Sequence, residues 1–244
     1  MAEHLVSSDF LQFQTLLASR GWAVLASGEI DADPAVTLRR LGTIVPQYDG
    51  RVSFDVTYRP GYDDAPYSQS MNALGAHTEA PGFMPPPKYL ALYCHRQARC
   101  GNGQTLLADG IRFYDEALSP DLRRWSQNNE VEFVSSATPG DETRSSLRAP
   151  IRVTVAGEPV LRFSYNLFRY GNVNPDAIEV RRVGDDPSDP LGQIAEEGEA
   201  FFSRNLIPVL IPDGCMLVWN NHRLMHGRGR YADQARHLTR YWLS

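Results

Sequence analysis

A chain of 244 residues, 42% hydrophobic and 22% charged, can bury a sizeable core and reads as one soluble globular domain over 1–244. Its apolar runs, such as Tyr89 to Tyr93, are far too short to cross a bilayer. A formal net charge of -5 argues against a nucleic-acid partner, whose phosphates call for a basic surface.

The N-terminal MAEHLVSSDF lacks the basic-then-apolar pattern of a secretory leader. Cys94, Cys100 and Cys215 form neither a CxxC pair nor a zinc-finger spacing. Incidental thiols in a reducing cytoplasm are the expectation.

In chain order, Ser8 is expected to cap a helix from about Asp9 to Ser19, closed by Gly21. Trp22 to Ser27 reads as a strand. Asp33 and Pro34 open a second helix, Pro34 to Leu41. From Val52 onward, short strands alternate with Gly, Pro, Asn and Asp. The candidates are Tyr89–Cys94, Gln104–Ala108, Val131–Ser135, Ile151–Val155, Leu161–Tyr165 and Met216–Asn220. Ser119-Pro120 and Asp189-Pro190 open two more helices. Polar stretches near 136–149 and 171–187 read as long loops, either lids or disordered. Many short strands with a few helices suggest a mostly β protein with a double-stranded β-helix (jelly-roll, cupin-like) core, covered on one side by helices.

Three clusters carry chemistry. In His77-Thr78-Glu79, residues two apart on an extended strand point to the same side, so an imidazole and a carboxylate can take adjacent positions on one metal. Far downstream, Trp219-Asn220-Asn221-His222-Arg223-Leu224-Met225-His226-Gly227-Arg228 reads as a strand ending in Trp219, followed by a turn with two histidines. One of these would complete two His and one carboxylate, a set that suits iron(II) with open positions. The same set could hold a zinc-bound water for hydrolysis.

Thr105 and Arg236 favour the oxidative reading, because a dicarboxylate cosubstrate needs a cation for its distal carboxylate and arginine supplies a planar fork. On a strand, Arg236 and Arg240 would share one face. Arg240 could then meet an anionic group of the substrate. Gln69 and Asn72, in the polar stretch from Tyr67 before the first ligand pair, are candidates to line the pocket. Phe163, Tyr165, Phe168 and Tyr170 are expected to pack in core and rim, and Arg223, Arg228 and Arg230 to be solvated turn residues.

The order HTE, PPKYLALYCHRQA, GNGQTLLADG, WNNHRLMHGR and RHLTR resembles the taurine dioxygenase-like group of iron(II)/2-oxoglutarate-dependent oxygenases. The Glu of HTE is similar to that of the clavaminate synthase-like branch. The resemblance runs from about Tyr67 to the C-terminus. It implies that His77, Glu79 and His226 hold iron, with His222 beside the site, and that Thr105 and Arg236 hold 2-oxoglutarate. It also implies oxidation of a small, anionic metabolite such as an amino acid or natural-product intermediate, by dioxygen and 2-oxoglutarate. Hydroxylation is the default outcome, with desaturation or cyclisation as variants. The turn Cys100-Gly101-Asn102-Gly103-Gln104 departs from the usual GGxT pattern, with Asn102 expected to supply the left-handed conformation. A metal-dependent hydrolase with the same ligands, and a non-catalytic jelly-roll binding protein, are the alternatives.

Overall fold

The computed structural model describes residues 6–63, 67–134, 146–175 and 188–244. Strand β1 (Val6–Ser7) leads into helix α1 (Phe10–Arg20). The cap is Asp9, not Ser8: its carboxylate accepts from the Gln12 N–H, and Gly21 ends the helix at φ 85°. Next come β2 (Trp22–Leu25), α2 (Pro34–Leu38), β3 (Ile44–Val45) and β4 (Ser53–Thr57). Helix α2 is capped by Asp33 and gives way to turns after Leu38, short of the expected Leu41.

The middle of the chain holds β5 (Leu74–His77), β6 (Tyr89–Arg96), β7 (Thr105–Asp109), a short helix α3 (Gly110–Arg112) and α4 (Pro120–Asn128). Two hairpins follow, β8 (Val131–Val134) with β9 (Ser146–Ala149), and β10 (Arg152–Val155) with β11 (Glu158–Leu161). Residues 146–149 of the first expected loop are thus strand, while 135–145 and 176–187 lie outside the described residues. The strand expected to reach Tyr165 ends at Leu161, because Ser164 caps α5 (Tyr165–Tyr170). The chain closes with α6 (Pro190–Asn205), β12 (Ile207–Val209), β13 (Met216–Asn220), β14 (Leu224–Arg228) and β15 (His237–Leu243).

Among the described residues, one sheet runs β1-β2-β13-β6-β15-β3, with β4 also on β15, and a four-stranded sheet runs β12-β7-β14-β5. Leu90, Leu217, Trp219 and Trp242 of the large sheet pack with Leu107, Val209 and Leu224 of the small one. Alternation explains why β13 is apolar from Met216 to Trp219. Leu217 and Trp219 face the other sheet, while Met216 and Val218 meet Phe13 and Leu17 of α1.

The small sheet's outer face, with Ala76, Ala108 and Met225, is covered by Phe201 and Phe202 of α6 and by Phe163 and Phe168. Helices therefore cover both outer faces, rather than one, because each sheet exposes an apolar outer side. Phe163 and Phe168 are core, as expected, and Tyr165 stacks edge-on with Tyr170. The architecture is the jelly-roll core with flanking helices.

Candidate metal centre and active site

The register of the small sheet builds the site. His226 on β14 pairs directly with His77 on β5, and Arg228 pairs with Thr105 on β7. The turn after β13, Asn221 to Arg223, carries His222 alone, and His226 sits within β14 rather than in that turn. The approach of β14 to β5 requires Gly227, since a Cβ there would lie 2.6 Å from the Leu74 carbonyl oxygen.

Glu79 lies beyond the end of β5. Thr78 ties this segment to the core: its N–H donates to the Phe163 carbonyl at 2.8 Å, and its hydroxyl accepts from the Phe163 N–H at 3.0 Å. With Thr78 turned into the core, His77 and Glu79 face the opposite side, where His226 arrives.

His77, Glu79 and His226 offer ligand atoms that all lie within 4.8 Å of one another, the one such group among the described residues. The His77 and His226 rings are 4.0 Å apart, and His226 Nε2 is 3.7 Å from a Glu79 oxygen. His77 Nδ1 lies 2.9 Å from the Gly75 carbonyl, which fixes it as the donor and leaves Nε2 for a metal. Burial pushes the His77 imidazole down to about 3, with His226 adding to the effect, so it is neutral. Burial alone would raise Glu79. Arg240, at 3.0 Å, and His226 outweigh it and hold the carboxyl at about 2. The donor set is thus one neutral imidazole, one carboxylate and a second imidazole whose Nδ1 is buried without a partner among the described residues. That set fits iron(II).

The cluster opens on a cavity of about 330 Å³, lined also by Gln47, Gln69, Thr105, Arg236 and Arg240. Arg236, one residue ahead of β15, and Arg240 within it face the same cavity, as their even separation requires. Arg236 is 1% exposed, and its Nε and Nη1 have no hydrogen-bond partner among the described residues. It packs on the Tyr231 ring at 5.0 Å, beside Gly103, where a Cβ would come 3.4 Å from the guanidinium. Gly101 and Gly103, not Asn102, supply the left-handed conformations of that turn, at φ 78° and 83°. A buried guanidinium with two nitrogens unpartnered among the described residues, on the same cavity as the buried Thr105, has the charge and geometry that a carboxylate needs.

Arg240 is fixed from two sides, by Glu79 and by the Gln47 side-chain oxygen at 2.9 Å. Asn72 does not line the cavity: its side chain donates to the Asp63 carbonyl at 2.6 Å, turned away by the loop. Gln69 does line it. Arg228 is buried rather than solvated. Its guanidinium donates to the carbonyls of Tyr67, Ser68, Ser70 and Asn72 at 2.6–3.1 Å. Arg223 is half-buried and paired with Asp109, and only Arg230 is solvated as expected. His222 is buried and donates through Nε2 to the Pro86 carbonyl at 2.9 Å.

Sequence reasoning missed Gln47, Asn221 and Arg228 as parts of this site. Asn221 stood inside a recognised motif, whereas Gln47 carries no local signal at all.

No curated protein sequence matches the chain. Among solved structures, it is similar to an asparagine oxygenase in complex with Fe(II), 3-hydroxyasparagine and succinate, at 17% identity and a TM-score of 0.69 over 96% of this chain and 78% of the other. It is also similar to the non-heme iron oxygenase OrfP with Fe and alpha-ketoglutaric acid, at 17% and 0.63 over 97% and 78%. A third likeness is to PvcB, an Fe, alpha-ketoglutarate-dependent oxygenase from an isonitrile synthetic pathway, at 15% and 0.61 over 96% and 79%. The model of the taurine catabolism dioxygenase TauD, TfdA family matches residues 2–242. The chain belongs to that family and is a non-heme iron enzyme dependent on 2-oxoglutarate and dioxygen.

Proposed function

We propose that this oxygenase oxidises a small, anionic metabolite, an amino acid or a natural-product intermediate, by hydroxylation, with desaturation or cyclisation as variants of the same chemistry. In this reading His77, Glu79 and His226 hold the iron. Thr105 and Arg236 hold the distal carboxylate of 2-oxoglutarate, and Arg240 with Gln69 receives the substrate's anionic group. The observation that carries it is the shared cavity, which is lined both by the three-ligand cluster and by Arg236, whose Nε and Nη1 have no partner among the described residues.

When bound, the iron supplies oxidation by dioxygen coupled to decarboxylation of 2-oxoglutarate. The chain's own residues orient and neutralise. His77 presents Nε2 because Gly75 holds Nδ1. Glu79 is ionised, and Arg236 offers a dry cation. Arg240, already fixed by Glu79 and Gln47, gives an arriving carboxylate a preset partner. Support for an amino-acid substrate comes from the solved relatives, one holding hydroxyasparagine and another a hydroxylated L-arginine. The hydrolase alternative has no support from the comparisons and leaves Arg236 without a task.

The same reading takes residues 1–244 as one cytoplasmic oxygenase domain. No helix among the described residues is long and apolar enough to cross a membrane.

The test is an anaerobic titration of the metal-free protein with iron(II) and 2-oxoglutarate, read by the visible metal-to-ligand charge-transfer band and followed by succinate release across a panel of amino acids. The band should form, and Arg236→Ala should weaken 2-oxoglutarate binding by about 10- to 100-fold, the loss of a charge-assisted contact. Bound iron with no band, or an Arg236→Ala protein that binds 2-oxoglutarate normally, would discard the cosubstrate assignment.

A further inference from the structure

Glu79 presents a positional problem that β5 does not solve. The strand ends at His77, two residues earlier, so no ladder hydrogen bond fixes the Glu79 backbone. Immediately after it the chain turns through Ala80 at φ 50°, a left-handed conformation that an L side chain adopts at a cost of about 1–2 kcal/mol. It then enters Ala80-Pro81-Gly82-Phe83-Met84-Pro85-Pro86-Pro87, in which four prolines have no N–H to contribute to any ladder. Carbonyls in such a segment need side-chain donors.

Those donors are Arg162, His222 and Asn221. Arg162 donates to the Pro81 and Phe83 carbonyls, and His222 to that of Pro86. Asn221 alone among the three reaches Glu79 itself. Its side-chain oxygen accepts from the Glu79 N–H at 2.7 Å, and its amide nitrogen donates to the Glu79 carbonyl at 3.1 Å and to the Pro87 carbonyl at 2.9 Å. The side chain is 1% exposed. Its orientation is unambiguous, because a flipped amide would set its NH2 against an N–H and its oxygen against two carbonyls.

We propose that Asn221 is a positioning residue of the metal centre, acting as a one-residue surrogate for the missing strand partner of Glu79. It holds both backbone polar groups of Glu79, its N–H and its carbonyl, and connects them to the turn that leads, five residues on, into His226. Two ligands from distant parts of the chain are thereby set at one spacing, while Arg240 aims the carboxylate at the other end of the Glu79 side chain. The inference rests on Glu79 being a metal ligand.

The experiment is an anaerobic equilibrium titration of the metal-free full-length protein with iron(II) alone, for the wild type, Glu79→Ala, Asn221→Ala and His222→Ala. Thermal midpoints are measured alongside, and cobalt(II) absorption reports ligand geometry. Asn221→Ala should fold, raise the iron Kd about 10- to 100-fold, as loss of a group that orients a ligand does, and shift the cobalt bands. His222→Ala, which loosens the proline segment without touching Glu79, should change the Kd by no more than a few-fold. Asn221→Ala binding iron like the wild type overturns the proposal, as does an equal rise in His222→Ala, which would signify general loop damage. If alanine abolishes folding, Asn221→Asp keeps the size and the acceptor but loses both donors. A rise in its Kd supports the proposal, and an unchanged Kd overturns it. Glu79→Ala that binds iron normally would instead refute the ligand assignment beneath it.

Discussion

At the residue scale, the ionisation of the site has a sign that can be measured. His77 ordinarily titrates near 6.5 and is pushed to about 3 in the folded protein, so between those values the unfolded chain holds the extra proton. Its contribution to stability is therefore complete above pH 6.5 and is lost as pH falls toward 3. Glu79, lowered from 4.5 to about 2, adds a loss in the same direction over that lower window. The thermal midpoint of the metal-free protein should be level near neutrality and decline below pH 6.5, with a shallower slope between 6.5 and 4.5 in His77→Gln. Identical slopes in the two proteins would contradict the neutral, half-buried His77.

Arg228 is the second residue-scale case. Burial, with Arg236 next to it, lowers its guanidinium to about 10, and its partners are the carbonyls of the Tyr67–Asn72 loop rather than a carboxylate. Lysine lacks the fork that spans them. Arg228→Lys should cost about 1–3 kcal/mol in urea unfolding and raise the substrate KM more than it lowers kcat, because Gln69 sits on that loop. No change in either quantity would show the loop to be held by other means.

At the element scale, the pairing of β14 with β5 sets the distance between the two histidines. A methyl group at Gly227 would meet backbone, the Leu74 carbonyl, at 2.6 Å and the Phe202 ring at 3.3 Å, and neither can swing aside cheaply. Gly227→Ala should destabilise the protein by about 1–3 kcal/mol and weaken iron binding in the same preparation. Full iron affinity despite lost stability would mean that the ligands do not depend on this register. Elements were legible where punctuation is strong: Gly21, Asp33-Pro34, Ser119-Pro120 and Asp189-Pro190 mark true helix ends, and β13 falls on the expected residues. Of the strand expected over Leu161–Tyr165 only Leu161 is strand, the last residue of β11, because Ser164 caps the helix that begins at Tyr165.

For the whole molecule, the site spans segments that meet only in the folded state, so occupancy and stability are linked. Iron(II) with 2-oxoglutarate, each at 100 times its Kd, should stabilise the fold by at least about 2.7 kcal/mol under anaerobic conditions, and a chelator should reverse the gain. Scanning fluorimetry of the wild type against His226→Ala checks this. An equal ligand-induced shift in both proteins would place the metal elsewhere.

The sequence by itself determined which residue types are available for the chemistry and their order along the chain. His77 with Glu79 and Arg236 with Arg240 were nameable from strand-parity spacings, Thr105 from its place after the first pair, and His226 rather than His222 through the family resemblance. The jelly-roll class was legible for a related reason, since period-two burial and turn residues are local properties. Tertiary structure alone decided the rest. It placed His226 opposite His77, turned Asn72 away and Gln69 inward, buried Arg228 among carbonyls, and set Gln47 and Asn221 against Arg240 and Glu79. These last contacts join residues 142 to 193 positions apart, and a hydrogen bond over such a separation leaves no periodicity or spacing to read. It exists only because the sheets bring two backbones to one place.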